Sequence, residues 1–146
     1  MTSRARLEQL GTVVILIRHA DVTLDGGADP PLNGAGTSRA QPLRHVLGDS
    51  GVTAIFVSSL QRTQATAQPL AGDLGLPAIV QDDTASIAGA IRHLANSETA
   101  LVVGHSNTVP DVVARLGGPP MTPIAATEFD RLVFLANYRL CTLRYG

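Results

Sequence analysis

Three short apolar runs, each followed directly by polar or charged residues, constrain the fold of this chain more than any other feature. They occupy residues 13–17, 52–57 and 100–103. Runs of this length, rich in Val and Ile and bounded by loop-forming residues, predict buried strands of a parallel sheet. In open α/β sheets the ligand crevice lies at the carboxyl ends of such strands, so we expect the residues that follow the runs to share one site.

The residues at these three strand ends are chemically alike. Arg18 and His19 follow the first run, a helix start carrying Arg62 follows the second, and His105 and Asn107 follow the third. Arginine binds phosphate oxygens through planar paired donors, and a neutral imidazole is a nucleophile. The sequence therefore predicts a site for a phosphoryl group, with Arg18 and Arg62 neutralising it and His19 as the candidate nucleophile.

The rest of the chain alternates helices and strands. We expect a helix from Asn33, as N-cap, to about residue 47, with Ala40, Leu43, Val46 and Leu47 as its apolar stripe. Further helices are predicted at residues 61–74, from Thr84 onwards and at 109–116, and further strands at 78–80, 131–136 and 139–145, the last two joined by a tight turn at Asn137-Tyr138. This order predicts an α/β protein, a three-layer α/β/α sandwich with a mostly parallel central sheet.

Length and composition predict one domain. The chain has 146 residues, of which 45% are hydrophobic, so residues 1–146 can form one core, with residues 1–11 as an N-terminal extension. The net charge of −1 with scattered basic residues gives no footprint for nucleic acid or a membrane surface. With no apolar leader or spanning segment, we expect a cytoplasmic protein, although an exported chain whose leader has been removed would look the same.

Two residue types narrow the chemistry. All 11 basic side chains are arginine, so Schiff-base chemistry and a P-loop lysine are excluded. Cys141 is the single cysteine, which excludes an intrachain disulfide and a cysteine zinc site, and we expect it to be a small core residue. His19 and His105 have no partner at metal-ligand spacing, so we expect neither a metal nor a cofactor.

From residue 12 to residue 146 the chain resembles the histidine phosphatase superfamily, which includes the cofactor-dependent phosphoglycerate mutases. The resemblance rests on the strand-Arg18-His19 start, the Ser58-Ser59-x-x-Arg62-Thr63-x-x-Thr-Ala helix start and the Gly104-His105-x-Asn107 turn. It implies a phosphoglycerate mutase-like fold and a covalent phosphohistidine on His19. It also implies that His105 contacts the phosphoryl group as a cation or donor and that Asn107 lies at the pocket wall.

The proton donor is less clear. Larger members of the family carry a glutamate or aspartate between the second and third motifs, and here Asp82 and Asp83, just past the third strand, are the best-placed candidates. Two adjacent aspartates can also form a solvated turn or a helix cap. Ala20 replaces the family's usual glycine, and Ser106 replaces the aspartate of its phytase-like branch.

Short length and an Asp-containing loop after the first motif resemble the bacterial phosphohistidine phosphatases. We therefore expect a metal-independent phosphatase that acts on a phosphorylated small molecule or on a protein phosphohistidine. A non-catalytic phosphate-recognition module is the alternative from another class. A phosphoglycerate mutase is a further one, although it needs a pocket closed to water. Ser59 and Thr63 are expected to brace the helix start, and His45 and His93 to be surface or structural residues.

Overall fold

One mixed sheet of six strands organises the computed structural model, which describes residues 11–146. The strands are β1 Val13–Arg18, β2 Val52–Val57, β3 Ala78–Val80, β4 Thr99–Gly104, β5 Arg131–Ala136 and β6 Arg139–Arg144. The helices of the described residues are α1 Gly34–Ala40, α2 Leu43–Leu47, α3 Gln61–Leu74, α4 Thr84–Arg92 and α5 Thr108–Arg115. Except for Gly11, the predicted N-terminal extension lies outside this range.

The strand order β3-β2-β4-β1-β5-β6 places β4 and β1 at the centre of the sheet. The first four strands in this order run parallel, and β5 and β6 run antiparallel to their neighbours. Arg18 at the end of β1 pairs with Gly104 at the end of β4. The backbone N–H of His19 then donates to the Gly104 carbonyl at 2.8 Å, so the first and third sequence motifs start side by side.

The sheet buries one apolar cluster on each face, which confirms the predicted three-layer fold. Alternation along β1 sends Ile15 and Ile17 to one face and Val14 and Leu16 to the other. Helices α2 and α3 contribute to the first cluster, and α4 and α5 contribute to the second. The rigid central strands therefore hold the polar residues at their carboxyl ends on a packed support.

The single helix predicted from Asn33 to residue 47 is wrong in one respect, because two helices replace it. Asn33 does cap α1, its Oδ1 accepting from Gly36 N at 2.9 Å. The helix breaks before Leu43 since Pro42 has no N–H to donate to the carbonyl four residues earlier. Helix α2 then turns Leu43 and Leu47 into the core, and Val46 of the predicted stripe is 46% exposed.

Cys141 is another correction, because it is exposed rather than part of the core. It lies on β6, the edge strand, opposite Phe134 of β5. An edge strand has a neighbour on one side alone, so residues that would be buried on a central strand can face solvent there. The sequence pattern around Cys141 does not distinguish the two positions.

The turn predicted at Asn137-Tyr138 is confirmed. Asn137 and Tyr138 have φ values of 51° and 62°, the left-handed pair required by a type I′ hairpin. Helix α3 also has its predicted bounds and ends at Gly75, whose φ is 65°. In the described part of the chain, no helix combines the length and apolarity needed to cross a membrane.

Candidate active site

The carboxyl ends of β1, β2 and β4 bring four of the predicted residues together. The ring centroids of His19 and His105 lie 5.3 Å apart. Arg62, on the first turn of α3, is near enough for its charge to lower the pKa of both histidines and of Arg18. The two arginine cations and the two imidazoles therefore lie within electrostatic range of one another.

His19 is held with one ring nitrogen free. Its side chain is 3% exposed, and Nδ1 lies 2.8 Å from the carbonyl oxygen of Ala20. A carbonyl accepts hydrogen bonds only, so Nδ1 carries the proton and the lone pair lies on Nε2. Two buried side-chain polar atoms lack a partner among residues 11–146, Arg18 Nε and Tyr145 Oη. Nε2 of His19 makes no hydrogen bond to a described residue.

Burial keeps the His19 ring neutral. Desolvation, together with the charges of Arg18 and Arg62, lowers the pKa of His19 to about 4, against the opposing hydrogen bond to Ala20. At neutral pH His19 therefore carries a lone pair that can attack an electrophile. This is the protonation state that a nucleophilic imidazole needs.

Arg18 is anchored at one end of its guanidinium and keeps two donors without a described partner. The side chain is 8% exposed, and Nη1 donates to the carbonyls of Ala125, Ala126 and Glu128 at 3.1, 3.0 and 3.0 Å. Cζ lies 4.2 Å from the centroid of the Phe129 ring. Nε is buried with no partner, and Nη2 makes no hydrogen bond to a described residue. Nε and Nη2 are therefore the donors that Arg18 has left for an oxyanion.

Within residues 11–146, Arg18 forms no ion pair with a carboxylate. Asp21 pairs with Arg39 instead, with 2.6 Å between Oδ1 and Nε. Burial of the Arg18 guanidinium lowers its pKa, and Arg62 adds to that effect. The positive charge of Arg18 is thus left for a ligand rather than neutralised by a neighbouring carboxylate.

His105 is oriented through a serine. Its Nε2 lies 2.9 Å from Ser58 Oγ, which in turn lies 2.9 Å from Thr63 Oγ1. Burial lowers the pKa of His105 to about 4, helped by Arg62 and Arg18 and opposed by Asp82. His105 is therefore neutral in the free protein, and when Ser58 donates to Nε2, the proton on Nδ1 is available to an anion.

Arg62 lies next to the loop of residues 21–31. Gln61 N donates to Asp29 Oδ1 at 3.0 Å, and Gln61 Nε2 donates to the Asp29 carbonyl at 2.7 Å, which ties this loop to the start of α3. Nη1 of Arg62 is 3.5 Å from the Ala28 carbonyl, a long contact. Most donors of Arg62 are therefore uncommitted.

Asn107 lies where the resemblance places it along the chain, at the start of α5 and two residues after His105. It is exposed and occupies the N-cap position without a side-chain capping bond. Its amide makes no capping hydrogen bond, and its place at the pocket wall stays a prediction.

The two candidate acids differ in position. Oδ1 of Asp82 accepts from Ser59 N at 2.8 Å, and this bond lowers the Asp82 pKa. The effect of Asp82 on the His105 pKa places its carboxylate beside the site. Asp83 caps α4 instead, accepting from the N–H and hydroxyl of Ser86 at 3.0 and 2.7 Å. The structure therefore does not bring Asp83 to the site as a proton donor.

Sequence reasoning missed several residues that hold the site. Ser58 orients His105, and the buried hydroxyl of Thr66 accepts from Ala20 N at 2.8 Å, joining the end of β1 to α3. Ser58 is the first polar residue after β2, a signal that could have found it. Phe129, whose ring centroid is 5.9 Å from that of His19, follows no pattern that would have indicated it.

The other predicted residues have structural positions. Thr63 braces the start of α3 through the carbonyls of Ser58 and Leu60, whereas Leu60 rather than Ser59 occupies the N-cap. His45 and His93 are exposed, and Nδ1 of His93 lies 2.7 Å from the Gly89 carbonyl within its own helix. Over residues 11–146, no three His, Cys, Asp or Glu side chains are grouped closely enough to hold a metal ion.

Solved structures with the same fold include several phosphatases. The protein histidine phosphatase SixA, complexed with tungstate, is 24% identical, with 90% of this chain and 94% of that chain covered and a TM-score of 0.68. A putative phosphohistidine phosphatase SixA from Agrobacterium tumefaciens is 19% identical over 92% and 97%, with a TM-score of 0.64. A mycobacterial glucosyl-3-phosphoglycerate phosphatase in complex with VO3 is 15% identical over 91% and 98%, with a TM-score of 0.66.

The sequence itself also identifies the family. No curated protein matches the chain significantly by sequence. The family model of the histidine phosphatase superfamily (branch 1) matches residues 14–89, which span β1 to α4 and include Arg18, His19 and Arg62. The match covers more than half of the chain and agrees with the fold and with the motifs at the strand ends. The chain therefore belongs to the histidine phosphatase superfamily.

Proposed function

We propose that this protein is a phosphatase that hydrolyses a phosphomonoester or a protein phosphohistidine through a phosphohistidine on His19. The observation that carries the proposal is a neutral His19, with its lone pair on Nε2, beside an Arg18 whose Nε and Nη2 have no described acceptor. The known structures of the same fold complexed with tungstate and with VO3 support a site for a tetrahedral or related oxyanion.

The reaction would take two displacements. In the first, the lone pair of His19 Nε2 attacks phosphorus, a P–N bond forms, and the bond from phosphorus to the leaving oxygen or nitrogen breaks with its electron pair on the leaving atom. In the second, water attacks phosphorus and loses a proton to solvent, and the P–N bond breaks with its electron pair returning to Nε2, which releases inorganic phosphate and neutral His19. Arg18 and Arg62 would stabilise the charge on the equatorial oxygens in both steps.

The protonation state of Asp82 favours a substrate with a good leaving group. The Asp82 carboxylate accepts a hydrogen bond that lowers its pKa, so Asp82 is ionised at neutral pH in the free protein. An alkoxide needs a proton as it leaves, whereas an imidazole makes a weaker demand. This difference favours protein phosphohistidine, or phosphoesters of acidic alcohols, as the substrate class.

The same observation supports a second candidate function. A chain that keeps both arginines and both histidines but has no protonated acid could bind phosphoryl groups without turning them over. Such a phosphate-recognition module would bind inorganic phosphate through Arg18 and would show no hydrolysis.

Hydrolysis of p-nitrophenyl phosphate separates the two candidates because its leaving group needs little protonation. We expect turnover by the full chain, loss of that turnover in His19→Ala, and unchanged turnover in the matched control His93→Ala, whose ring is exposed on α4. Tight binding of inorganic phosphate without turnover would support the module instead. Turnover that survives in His19→Ala would contradict the proposed mechanism.

A further inference from the structure

We propose that residues 119–130, the segment between α5 and β5, position Arg18 and His19 for phosphoryl binding. Glu128 and Phe129 of this segment carry the effect, together with Arg131 at the start of β5. We call residues 119–130 the support loop. This inference rests on the proposed function and adds positioning residues to it. The support loop lies more than 100 positions from Arg18 along the chain, so only the fold brings the two together.

The first step is the geometry of Arg18. Its Nη1 has two hydrogens and lies within 3.1 Å of three carbonyl oxygens of the support loop, those of Ala125, Ala126 and Glu128. These contacts fix the guanidinium plane and its rotation. They also decide which donors remain, because the buried Nε and the Nη2 are left without an acceptor among residues 11–146. The support loop therefore selects the donors that Arg18 presents to a ligand.

The second step is the ion pair that holds those carbonyls. Arg131, 8% exposed, donates from Nε to Glu128 Oε2 and from Nη2 to Glu128 Oε1, both at 2.8 Å. Its remaining donors bind the carbonyls of Thr122 and Pro123. Glu128 also accepts from Ala125 N at 3.2 Å, which closes a short turn. Arg131 therefore ties residues 122 and 123 to Glu128 within the support loop.

The third step is the aromatic ring between the two motif residues. Phe129 is 9% exposed, its centroid lies 4.2 Å from Arg18 Cζ and 5.9 Å from the centroid of His19. A desolvated cation over an aromatic face is stabilised by the electrostatic attraction of the ring. The same ring lies against His19 at an interplanar angle of 50°. Phe129 therefore restrains both the phosphate-binding cation and the nucleophile.

Two variants and two matched controls test this inference on the full chain. Phe129→Leu removes the ring, and Arg131→Gln removes the ion pair. The controls are Phe134→Leu and Arg144→Gln. Phe134→Leu makes the same change on β5, beside the apolar cluster that contains Ile15 and Ile17. Arg144→Gln removes an exposed partner of the Glu128 carboxylate. The measurements are the Kd of tungstate by calorimetry, kcat and KM for p-nitrophenyl phosphate, and the melting temperature.

We expect Phe129→Leu and Arg131→Gln to raise the tungstate Kd and the KM together by about tenfold, the factor that corresponds to 1.4 kcal/mol. Both controls should keep the wild-type Kd, even where they lower the melting temperature by as much. A purely structural role would move the melting temperature alone. If Arg131→Gln does not fold, Phe129→Leu decides the matter.

A wild-type Kd in Phe129→Leu would overturn the inference and leave the proposed function intact. A different outcome marks failure of the proposed function: a wild-type chain that neither binds tungstate nor hydrolyses p-nitrophenyl phosphate. That outcome would remove both conclusions, because the support loop would then have no bound phosphoryl group to position.

Discussion

The rings of His19 and His105 lie 5.3 Å apart and are inclined at 59° to one another, although 85 residues separate them along the chain. The His19 ring is buried and the His105 ring is half-buried, both lie beside two arginines, and both have a pKa of about 4. Two neutral imidazoles next to two cations form a site that gains charge balance when an anion enters.

Stability should fall between pH 6.5 and pH 4.5 because of these two histidines. An unfolded histidine has a pKa of about 6.5. In this window the unfolded chain binds more protons than the folded one, so the free energy of unfolding decreases as pH falls. Lowered carboxyl pKa values, such as that of Glu128 at about 2, act mainly below this window. Urea midpoints at pH 7.0 and 5.0 measure the effect.

The matched comparison for this prediction uses four histidines. Replacing His19 and His105 by glutamine should flatten the pH dependence between these values, whereas replacing the exposed His45 and His93 should leave it unchanged. An equal slope in both double variants would contradict the assignment of low pKa values to the buried pair.

Ser58→Ala should weaken catalysis by misplacing His105. The change leaves the Nε2 of His105 and the hydroxyl of Thr63 without their present partner, and an unsatisfied buried polar group costs about 1–3 kcal/mol. We expect kcat for p-nitrophenyl phosphate to drop by about tenfold, with a lower melting temperature. Ser38→Ala, on the exposed face of α1, is the control. An unchanged kcat in Ser58→Ala would show that His105 needs no such orientation.

Arg18→Lys should lose affinity for the phosphoryl group although it keeps the charge. A lysine ammonium has three donors, and the carbonyls of Ala125, Ala126 and Glu128 can accept all three. We expect kcat/KM to fall by about 100-fold, the equivalent of the roughly 3 kcal/mol that a hydrogen bond to a charged group can supply. Arg44→Lys, in an exposed pair with Asp73, should have wild-type kinetics. Wild-type phosphate affinity in Arg18→Lys would rule out a role for Nε and Nη2 in phosphate binding.

Asp82→Asn should separate substrates by leaving group. Asparagine keeps an acceptor for Ser59 N but cannot transfer a proton. Hydrolysis of an alkyl phosphate should fall by about 100-fold if Asp82 is the acid, whereas p-nitrophenyl phosphate should be hydrolysed nearly as before. Asp83→Asn is the control, because asparagine also caps helices well. Equal rates on alkyl phosphate in both variants would exclude Asp82 as the donor.

Much of this molecule follows from local sequence, and the remainder depends on contacts between distant segments. Periodicity and turn residues predict the succession of helices and strands along the chain, the bounds of α3 and the tight turn at Asn137-Tyr138. The three motifs indicate which residues come together. Nothing around residues 119–130 indicates that three of their carbonyls bind Arg18 or that Phe129 covers it. Those contacts arise only once β5 has paired with β1.

The corrected predictions have the same physical origin. Leu43 and Val46 are equally apolar in sequence, and only the helix break at Pro42 determines which of them faces the core. Cys141 is exposed because β6 is the last strand of the sheet, a position that a six-residue pattern cannot reveal. Asp83 was one of two equivalent candidates, and its capping bond to Ser86 became visible only with the helix in place.

Trapping the phosphorylated protein tests the central claim most directly. The full chain would be mixed with labelled p-nitrophenyl phosphate or a phosphoramidate and quenched at alkaline pH within milliseconds. Peptide mapping would then locate the label. We predict acid-labile label on His19, none in His19→Ala, and wild-type amounts in His93→Ala. Turnover without label on any histidine, or label on His105 with His19 unmodified, would contradict the account.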